Sequence, residues 1–301
     1  MAALVGDQTG VVGKAGETAT TVSATPKQTG RKHGIGLWLP VAWISVIVVG
    51  SMLAPWLPLK PNGKTLGKAG LMPSTKFWLG TDQIGRDIFS RVLWGGRVAL
   101  AVGVVSVISA MVVGGALGLF AGFYRGRLEA VLNTIVNTLL AFPALVLVLA
   151  ITAFLGHNLW NIVTAIAIVA IPAFARIAYA NTLTVSQREY VLAARSLGAK
   201  NSRILFREIL PNVVLPLSAF ALVVTAVAIV AEAGLAFLGL SIQRPKPSWG
   251  SMIDDGRKLL VGKGIWHVTF IPIGVMFLTV LSINLIGDRL QSIIDGRDAK
   301  I

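Results

Sequence analysis

The chain has 301 residues, of which 54% are hydrophobic and only 13% are charged, and its formal net charge is +14. Soluble domains carry about 25% charged residues, so this composition excludes a soluble domain of this size. The sequence has no platform of interleaved aromatic and basic residues, so the positive charge indicates the cationic loops of a membrane protein and not a nucleic-acid-binding surface. Cysteine is absent, which excludes disulfides and thiolate metal sites.

Residues 1–33 are rich in glycine, alanine, serine and threonine and show no apolar periodicity. This composition predicts a flexible tail, and it lacks the apolar core of a secretory signal. Arg31 and Lys32 stand directly before the first apolar run. Cations at that position predict a cytoplasmic amino terminus, with the first span as an uncleaved anchor.

Long apolar runs predict the fold class. A helix needs about 20 apolar residues to cross the bilayer core, and lipid offers the backbone no hydrogen-bond partner. The runs are continuous and do not alternate, which excludes a barrel. The sequence therefore predicts an all-α, polytopic membrane protein with six transmembrane helices, at 34–59, 98–124, 130–156, 159–175, 209–231 and 264–287. Pro143 and Pro172 are expected to kink the third and fourth spans.

Six spans that start in the cytoplasm place both termini on the cytoplasmic side. The predicted layout is a first span with its outer loop over 34–97, a core of five spans over 98–290, and a cytoplasmic tail over 291–301. The core contains a polar inner loop, 182–211. The short loops agree with this orientation, because Arg125 and Arg127 fall inside while the outer loop 156–159 contains neither lysine nor arginine.

The outer segment 79–97 reads LGTDQIGRDIFSRVLWGGR. Thr81 or Asp82 is suited to cap a helix, and the apolar side chains that follow share one helical face, Ile84, Ile88 and Val92. The pattern predicts a short amphipathic helix lying at the outer membrane interface before the second span. An interfacial anchor is favoured over a direct substrate contact. The polar residues of this segment are Asp82, Arg86, Asp87 and Arg91.

The inner loop carries its own helix pattern. Residues 189–197 predict a short helix that Gly198 ends in a left-handed cap. A second helix is expected to start at Asn201 or Ser202, and Pro211 is expected to mark the entry to the fifth span. A short helix with a small-residue face suits a groove on another protein. A solvated connector fits these residues equally well.

The same loop resembles the cytoplasmic EAA motif of importer permeases of the ATP-binding cassette (ABC) class. That motif reads Glu-Ala-Ala, three residues, Gly, nine residues, then Ile-x-Leu-Pro. Ala193, Ala194 and Gly198 are in register with it, as is the Leu-Pro pair that ends at Pro211. The sequence departs from it at two positions, where Leu192 replaces the glutamate and Glu208 replaces the isoleucine.

Three further segments resemble the dipeptide/oligopeptide permease family, and specifically its C-type subunit. The segment 79–97 is similar to that family's WLGTDxLGRDxxSRxxxGxR signature. Residues 231–252 are similar to its AExxLSFLGLGxxPPxPSWGxM stretch, and 284–289, NLIGDR, to its carboxyl-terminal segment. Near the end, a Gly296-Arg297 pair stands where Pro-Arg is common. The resemblance extends from about residue 34 to 297.

The resemblance implies a type I ABC importer permease fold and a division of labour. Such a subunit pairs with a homologous B-type permease, docks on two ATPase subunits and receives di- or oligopeptides from an extracytoplasmic binding protein in a bacterial inner membrane. ATP and Mg²⁺ are bound by the ATPases, and no cofactor is implied for this chain. The residues implied to couple ATPase motion are Glu189, Ala193, Ala194, Arg195, Gly198 and Pro211.

The chain itself is not expected to be an enzyme. A phosphate-binding loop needs GxxxxGK followed by Ser or Thr, between a strand and a helix. Gly63, Lys64 and Thr65 match only its last letters, because Pro58 stands at the first glycine. Two other functions remain open: a related nickel or glutathione importer, and an ATP-independent secondary transporter or channel, although the coupling charges typical of the latter are few.

Glu232, within the fifth span, is the clearest candidate for the translocation path. An ionisable group in a span costs a few kcal/mol and faces protein or water. The small residues beside it, Ala231, Ala233 and Gly234, favour close helix packing instead. Asn133 and Asn137 lie one turn apart in the third span and are candidates for hydrogen bonds across helices or for the path. No metal ligands and no catalytic residues are expected.

Overall fold

The computed structural model describes residues 37–298, with side chains up to 294, so the predicted tail 1–33 lies outside the described part. Within that part the secondary structure is helical, apart from one isolated bridge between Thr81 and Asp87. This confirms the all-α prediction. The helices are α1 Trp38–Leu53, α2 Ile88–Tyr124, α3 Arg127–Leu140, α4 Ala144–Leu155, α5 Leu159–Ser186, α6 Glu189–Ser196, α7 Asn201–Phe237, α8 Trp249–Lys263 and α9 His267–Asp298.

The count of six full spans is not confirmed over the described residues. Four helices, α2, α5, α7 and α9, are long and apolar enough to cross a membrane, and the bent pair of α3 and α4 makes a fifth if it is counted as one span. α1 has 16 residues, or about 24 Å at 1.5 Å per residue, which is shorter than a bilayer core of roughly 30 Å. α9 continues through most of the predicted tail, to Asp298.

The third predicted span, 130–156, is broken where its proline stands. α3 and α4 meet at 90°, and Pro143 caps α4 with extended backbone at φ −58° and ψ 121°. Proline has no N–H for the helix ladder and disfavours helical backbone in the residue before it. The kink expected at Pro143 is therefore present as a complete break. Pro172, by contrast, lies within the continuous helix α5.

A ladder of glycines lets α2 and α5 pack in direct backbone contact. A Cβ placed at Gly114 would lie 2.4 Å from the Ile171 carbonyl oxygen, and one at Gly118 would lie 2.2 Å from that of Ala175. Gly122 repeats the spacing one turn later. Small residues four apart permit this close approach in membranes. The contacts advance in the same direction along both helices, so α2 and α5 run parallel, and α6 emerges at the end of the bundle where α2 finishes.

The opposite end of the bundle is closed by α8. Trp249, the first residue of α8, is fully buried and donates its Nε1 hydrogen to the carbonyl oxygen of Val92 at 2.9 Å. α8 also packs against α7 and α9, and α1 lies against α2 and α9. The loops between α1 and α2 and between α7 and α8 also meet at this end, where a Cβ on Gly63 would lie 3.4 Å from the Cβ of Pro245.

Candidate functional site

α6 ends in a turn that only glycine adopts without strain. Gly198 has φ +76°. Its N–H donates to the Arg195 carbonyl at 3.0 Å, and the Ala199 N–H donates to the Ala194 carbonyl at 3.0 Å. These two bonds make a Schellman motif. A Cβ at Gly198 would meet nothing within 4 Å, so the backbone conformation, and not lack of space, requires glycine here. The predicted position of this cap is confirmed.

The side chains of α6 point in two directions. Val191 is fully buried and belongs to the same apolar cluster as Ile204 and Leu205 of α7. On the other side, Leu192 is 48% exposed and Leu197, just after the helix, is 88% exposed. α6 is therefore fastened to the bundle by one face and presents apolar side chains on the other.

The second helix of this loop is not separate from the fifth span. α7 begins at Asn201 with Lys200 as its N-cap, no side-chain cap bond is made there, and the helix continues to Phe237. The helix therefore has no break at Pro211, and the second helix and the fifth span are one element; the entry to the membrane at Pro211 stays a prediction. A π-helical turn, Ile204–Ile209, precedes the proline. The wider turn leaves room for the proline ring, which has no N–H to donate and clashes with the carbonyl four residues back in a regular helix.

A polar contact also joins α6 to α7. The side-chain amide of Asn212 donates to the Tyr190 hydroxyl at 3.2 Å and to the Glu208 carbonyl at 2.7 Å. The short helix α6 is thus attached to α7 by two contacts: the hydrogen bond between Tyr190 and Asn212 and the buried packing of Val191. The candidate coupling residues from Glu189 to Gly198 thus lie in α6 and its cap, while Pro211 lies within α7.

At the opposite end, the predicted amphipathic helix over 79–97 is wrong in form. Residues 79–87 form turns, and the helix starts only at Ile88, as the first turn of α2. Its cap is Asp87, whose carboxylate accepts from the Ser90 N–H at 2.9 Å, and not Thr81 or Asp82. Gly85 has φ +82°, and a Cβ there would lie 1.9 Å from the Gly67 carbonyl oxygen. This close approach of the preceding loop favours the turn over a helix.

The polar residues of this segment are buried and not spread over a membrane surface. Asp82, Arg86, Arg91 and Asp255 are each no more than 4% exposed, and they are named here the charge cluster. The Nε of Arg86 lies 2.6 Å from Asp82 Oδ2, its Nη2 lies 3.4 Å from Asp255 Oδ2, and the Nε of Arg91 lies 3.4 Å from Asp82 Oδ2. Buried charges persist only when paired, so the cluster ties the outer-loop segment to α8.

Two residues of this arrangement were not singled out in the sequence. Asp255 stands 169 positions from its partner Arg86, and Arg244 makes a second ion pair with the other oxygen of Asp255. The sequence offers only a weak indication of this ion pairing, which is the pair Asp254-Asp255 in a segment, 241–263, whose other charged residues are cations.

The comparisons with known proteins agree with this architecture. A family model described as "Binding-protein-dependent transport system inner membrane component" matches residues 114–298, which include α6 and the whole of α7. This chain belongs to that family. The permease is also similar in fold to a chain of the MetNI methionine ABC transporter in inward-facing conformations. The match has a TM-score of 0.56 at 20% identity and covers 68% of this chain and 96% of the other.

Curated relatives of the permease share more of its sequence. The Glutathione transport system permease protein GsiD of Pectobacterium atrosepticum is 44% identical over 75% of this chain and 74% of its own length. The Dipeptide transport system permease protein DppC of Alkalihalophilus pseudofirmus is 37% identical over 87% and 85%. A putative peptide transport system permease protein of Brucella suis is 36% identical over 94% and 93%. These relatives are transport permeases and not ATPases.

The permease is thus a multi-pass membrane protein, the transmembrane subunit of an ABC importer. Membership of this family implies that ATPase and substrate-binding proteins work with it. The family match includes α6 and its glycine cap, so the loop fastened to α7 lies within the shared part of the fold.

The candidate path residues are placed in different surroundings. Glu232 is 2% exposed and accepts a hydrogen bond from the Ser241 hydroxyl in the loop after α7. Asn133 is half-buried beside Tyr179 of α5, and Asn137, one turn later, is exposed. The described contacts of these three residues are therefore different, and their roles stay predictions.

Proposed function

We propose that this permease forms half of the translocation path of an ABC importer for small peptides, and that α6 is the coupling helix that receives the motion of an ATPase. The observation that carries the proposal is the two-sided character of α6. Val191 is fully buried in the bundle while Leu192 and Leu197 are exposed. Exposed apolar side chains on a short helix suit a groove in a partner protein.

The connection between α6 and α7 supports transmission of force. Gly198 closes the turn with two backbone hydrogen bonds, and α7 continues without a break through Pro211 into the span. A displacement of α6 therefore displaces the base of α7. ATP binding shifts the permease between inward-open and outward-open states to the extent that the ATPases contact the two states differently.

We infer the partners from this role. A homologous B-type permease completes the path, two ATPase subunits dock below α6, and an extracytoplasmic binding protein delivers the substrate. ATP and Mg²⁺ belong to the ATPases. Lys64 and Thr65 lie in turns between α1 and α2 and not between a strand and a helix, so they lack the setting of a phosphate-binding loop, and this chain is not expected to hydrolyse ATP.

The substrate class follows from the relatives. Their names give dipeptide, glutathione and peptide, which are all peptides. This shared chemistry favours a peptide substrate over nickel.

The orientation is proposed from charge. The α6 loop carries exposed cations at Arg188, Arg195, Lys200 and Arg203, and loops rich in lysine and arginine stay in the cytoplasm. We place the permease in the inner membrane of a bacterium, with α6 and both termini on the cytoplasmic side and the charge cluster on the outer side.

Leu197→Asp in the intact transporter tests the coupling role. Because Leu197 is 88% exposed, the substitution leaves the bundle intact but puts a charge on the docking surface. We expect ATP-driven peptide uptake in proteoliposomes to fall at least tenfold, and ATPase subunits to be lost during purification. Val261→Asp, at an 84% exposed position of α8, is the matched control and is expected to transport normally.

The same preparation tests the rival function. If the permease takes up peptide without ATP, and no ATPase purifies with it, an ATP-independent transporter is correct and the coupling proposal is wrong.

A further inference from the structure

A cavity of about 850 Å³ opens at the end of the bundle that carries the charge cluster. It lies where α1 ends, where α5 begins and beside the first turns of α2. The ionisable side chains among its lining residues are all cations: Lys60, Lys64, Arg97 and Lys246. The cavity lined by these four cations is named the cationic cavity.

Three of the four cations have no acidic partner among the described residues. Lys60 lies 3.9 Å from Asp87 Oδ1 and 4.0 Å from the centre of the Phe77 ring, so its charge is already balanced. Arg97 stacks on the ring of Trp94, with 5.2 Å between the guanidinium carbon and the ring centre. Within residues 37–294, no salt bridge joins Lys64, Arg97 or Lys246 to a carboxylate. The cavity therefore holds about three unbalanced positive charges beside apolar walls, and an anion is the complementary ligand.

An exposed apolar stripe follows the cavity along α2. Beyond Arg97, at intervals of four residues, Val104 is 41% exposed, Ile108 is 52% exposed and Val112 is 60% exposed. From Arg97 to Val112 the helix rises about 22 Å, which exceeds the roughly 15 Å depth of one bilayer leaflet. A cationic cavity next to a long apolar stripe is complementary to a lipid, with its charged headgroup and long acyl chains, and not to a compact polar solute.

The aromatic side chains place the cationic cavity at the membrane boundary. Trp94 and Trp160 line the cavity, and Trp160 is 64% exposed. Tryptophan is enriched at the level of the lipid headgroups, and a lysine or arginine at that level is suited to pair with a headgroup phosphate.

We propose that the cationic cavity binds the headgroup phosphate of an anionic phospholipid, whose acyl chains lie along the α2 stripe. The phosphate balances the charges of Lys64, Arg97 and Lys246, and the chains cover Val104, Ile108 and Val112. A protein partner on the same face would have to supply carboxylates for three cations and still cover the stripe. The proposal does not depend on which substrate is transported.

Native mass spectrometry of the intact, delipidated transporter tests the site. Phosphatidylglycerol is titrated against phosphatidylcholine. We expect the first phosphatidylglycerol to bind at a concentration at least tenfold lower than phosphatidylcholine. The triple variant Lys64→Gln, Arg97→Gln and Lys246→Gln is expected to lose this preference. The matched control removes three exposed lysines outside the cavity, Lys68→Gln, Lys258→Gln and Lys263→Gln, and is expected to keep it.

Three results would overturn the proposal. One is equal binding of the two lipids to the wild type, and another is an equal loss in both triple variants, which would show a general effect of charge. The third comes from crosslinking. Because the chain has no cysteine, an Ile108→Cys variant carrying a benzophenone label can be followed in native membranes. Adducts with lipid support the proposal, whereas adducts mainly with a second protein subunit would show that this face is a protein interface.

Discussion

Gly198 and Gly264 form a natural pair for testing whether the closed end of α6 transmits force. Both are left-handed helix caps, at φ +76° and +66°, and a Cβ at either position would meet nothing within 4 Å. Gly198 ends α6 and Gly264 ends α8, at the opposite end of the bundle. Substituting valine at each position therefore introduces the same backbone strain in the same open surroundings, and only the location differs.

The expected strain follows from the backbone alone. A non-glycine residue held in the left-handed region costs about 2 kcal/mol, which corresponds to a factor of about 30 in an equilibrium constant. Gly198→Val is therefore expected to shift the equilibrium between the closed and the open turn about thirtyfold towards the open form, which loosens the position of α6 relative to α7. ATP-driven uptake is then expected to fall at least tenfold.

Both variants are measured in the intact transporter. Peptide uptake into proteoliposomes reports coupling, and the temperature of unfolding in detergent reports stability. We expect similar small losses of stability in the two variants, and loss of uptake in Gly198→Val only. Normal uptake by Gly198→Val, or an equal loss of uptake in Gly264→Val, would refute the reasoning.

Other substitutions test the packing. Gly118→Ala places a Cβ 2.2 Å from a backbone oxygen of α5, so α2 and α5 must separate at a cost of about 2 kcal/mol; thermal unfolding should show it, while Gly274→Ala, with nothing within 4 Å, should be neutral. Asp255→Asn removes one of the two carboxylates that pair with the buried Arg86 and should cost about 2 kcal/mol, whereas the neighbouring Asp254→Asn should not lower the unfolding temperature. Glu232→Gln keeps a group that accepts the Ser241 hydrogen bond and should reduce uptake less than Gly198→Val; a variant that assembles but does not transport would move Glu232 to the path.

The coupling loop shows which features a local sequence pattern predicts and which it does not. Gly198 was predicted as a left-handed cap because helix ends have few backbone solutions, and a single glycine after an alanine-rich turn identifies one of them. The same local reasoning predicts a separate second helix that ends before Pro211, and the structure has one continuous helix there. Proline restricts the residue before it, but the π-helical turn at Ile204–Ile209 absorbs the restriction, because burial of Ile204, Leu205 and Ile209 stabilises a continuous helix.

The sequence by itself determined that the chain is a helical membrane protein, since uncharged runs of this length are stable only as helices in lipid. It also placed a kink at Pro143, which the structure shows as a complete break, and the cap at Gly198; both depend on neighbours in the chain. Only the tertiary structure decided that segment 79–87 is a turn and that Asp82 and Arg86 pair with Asp255. Those choices depend on groups far apart along the chain, whose charges can be buried only together.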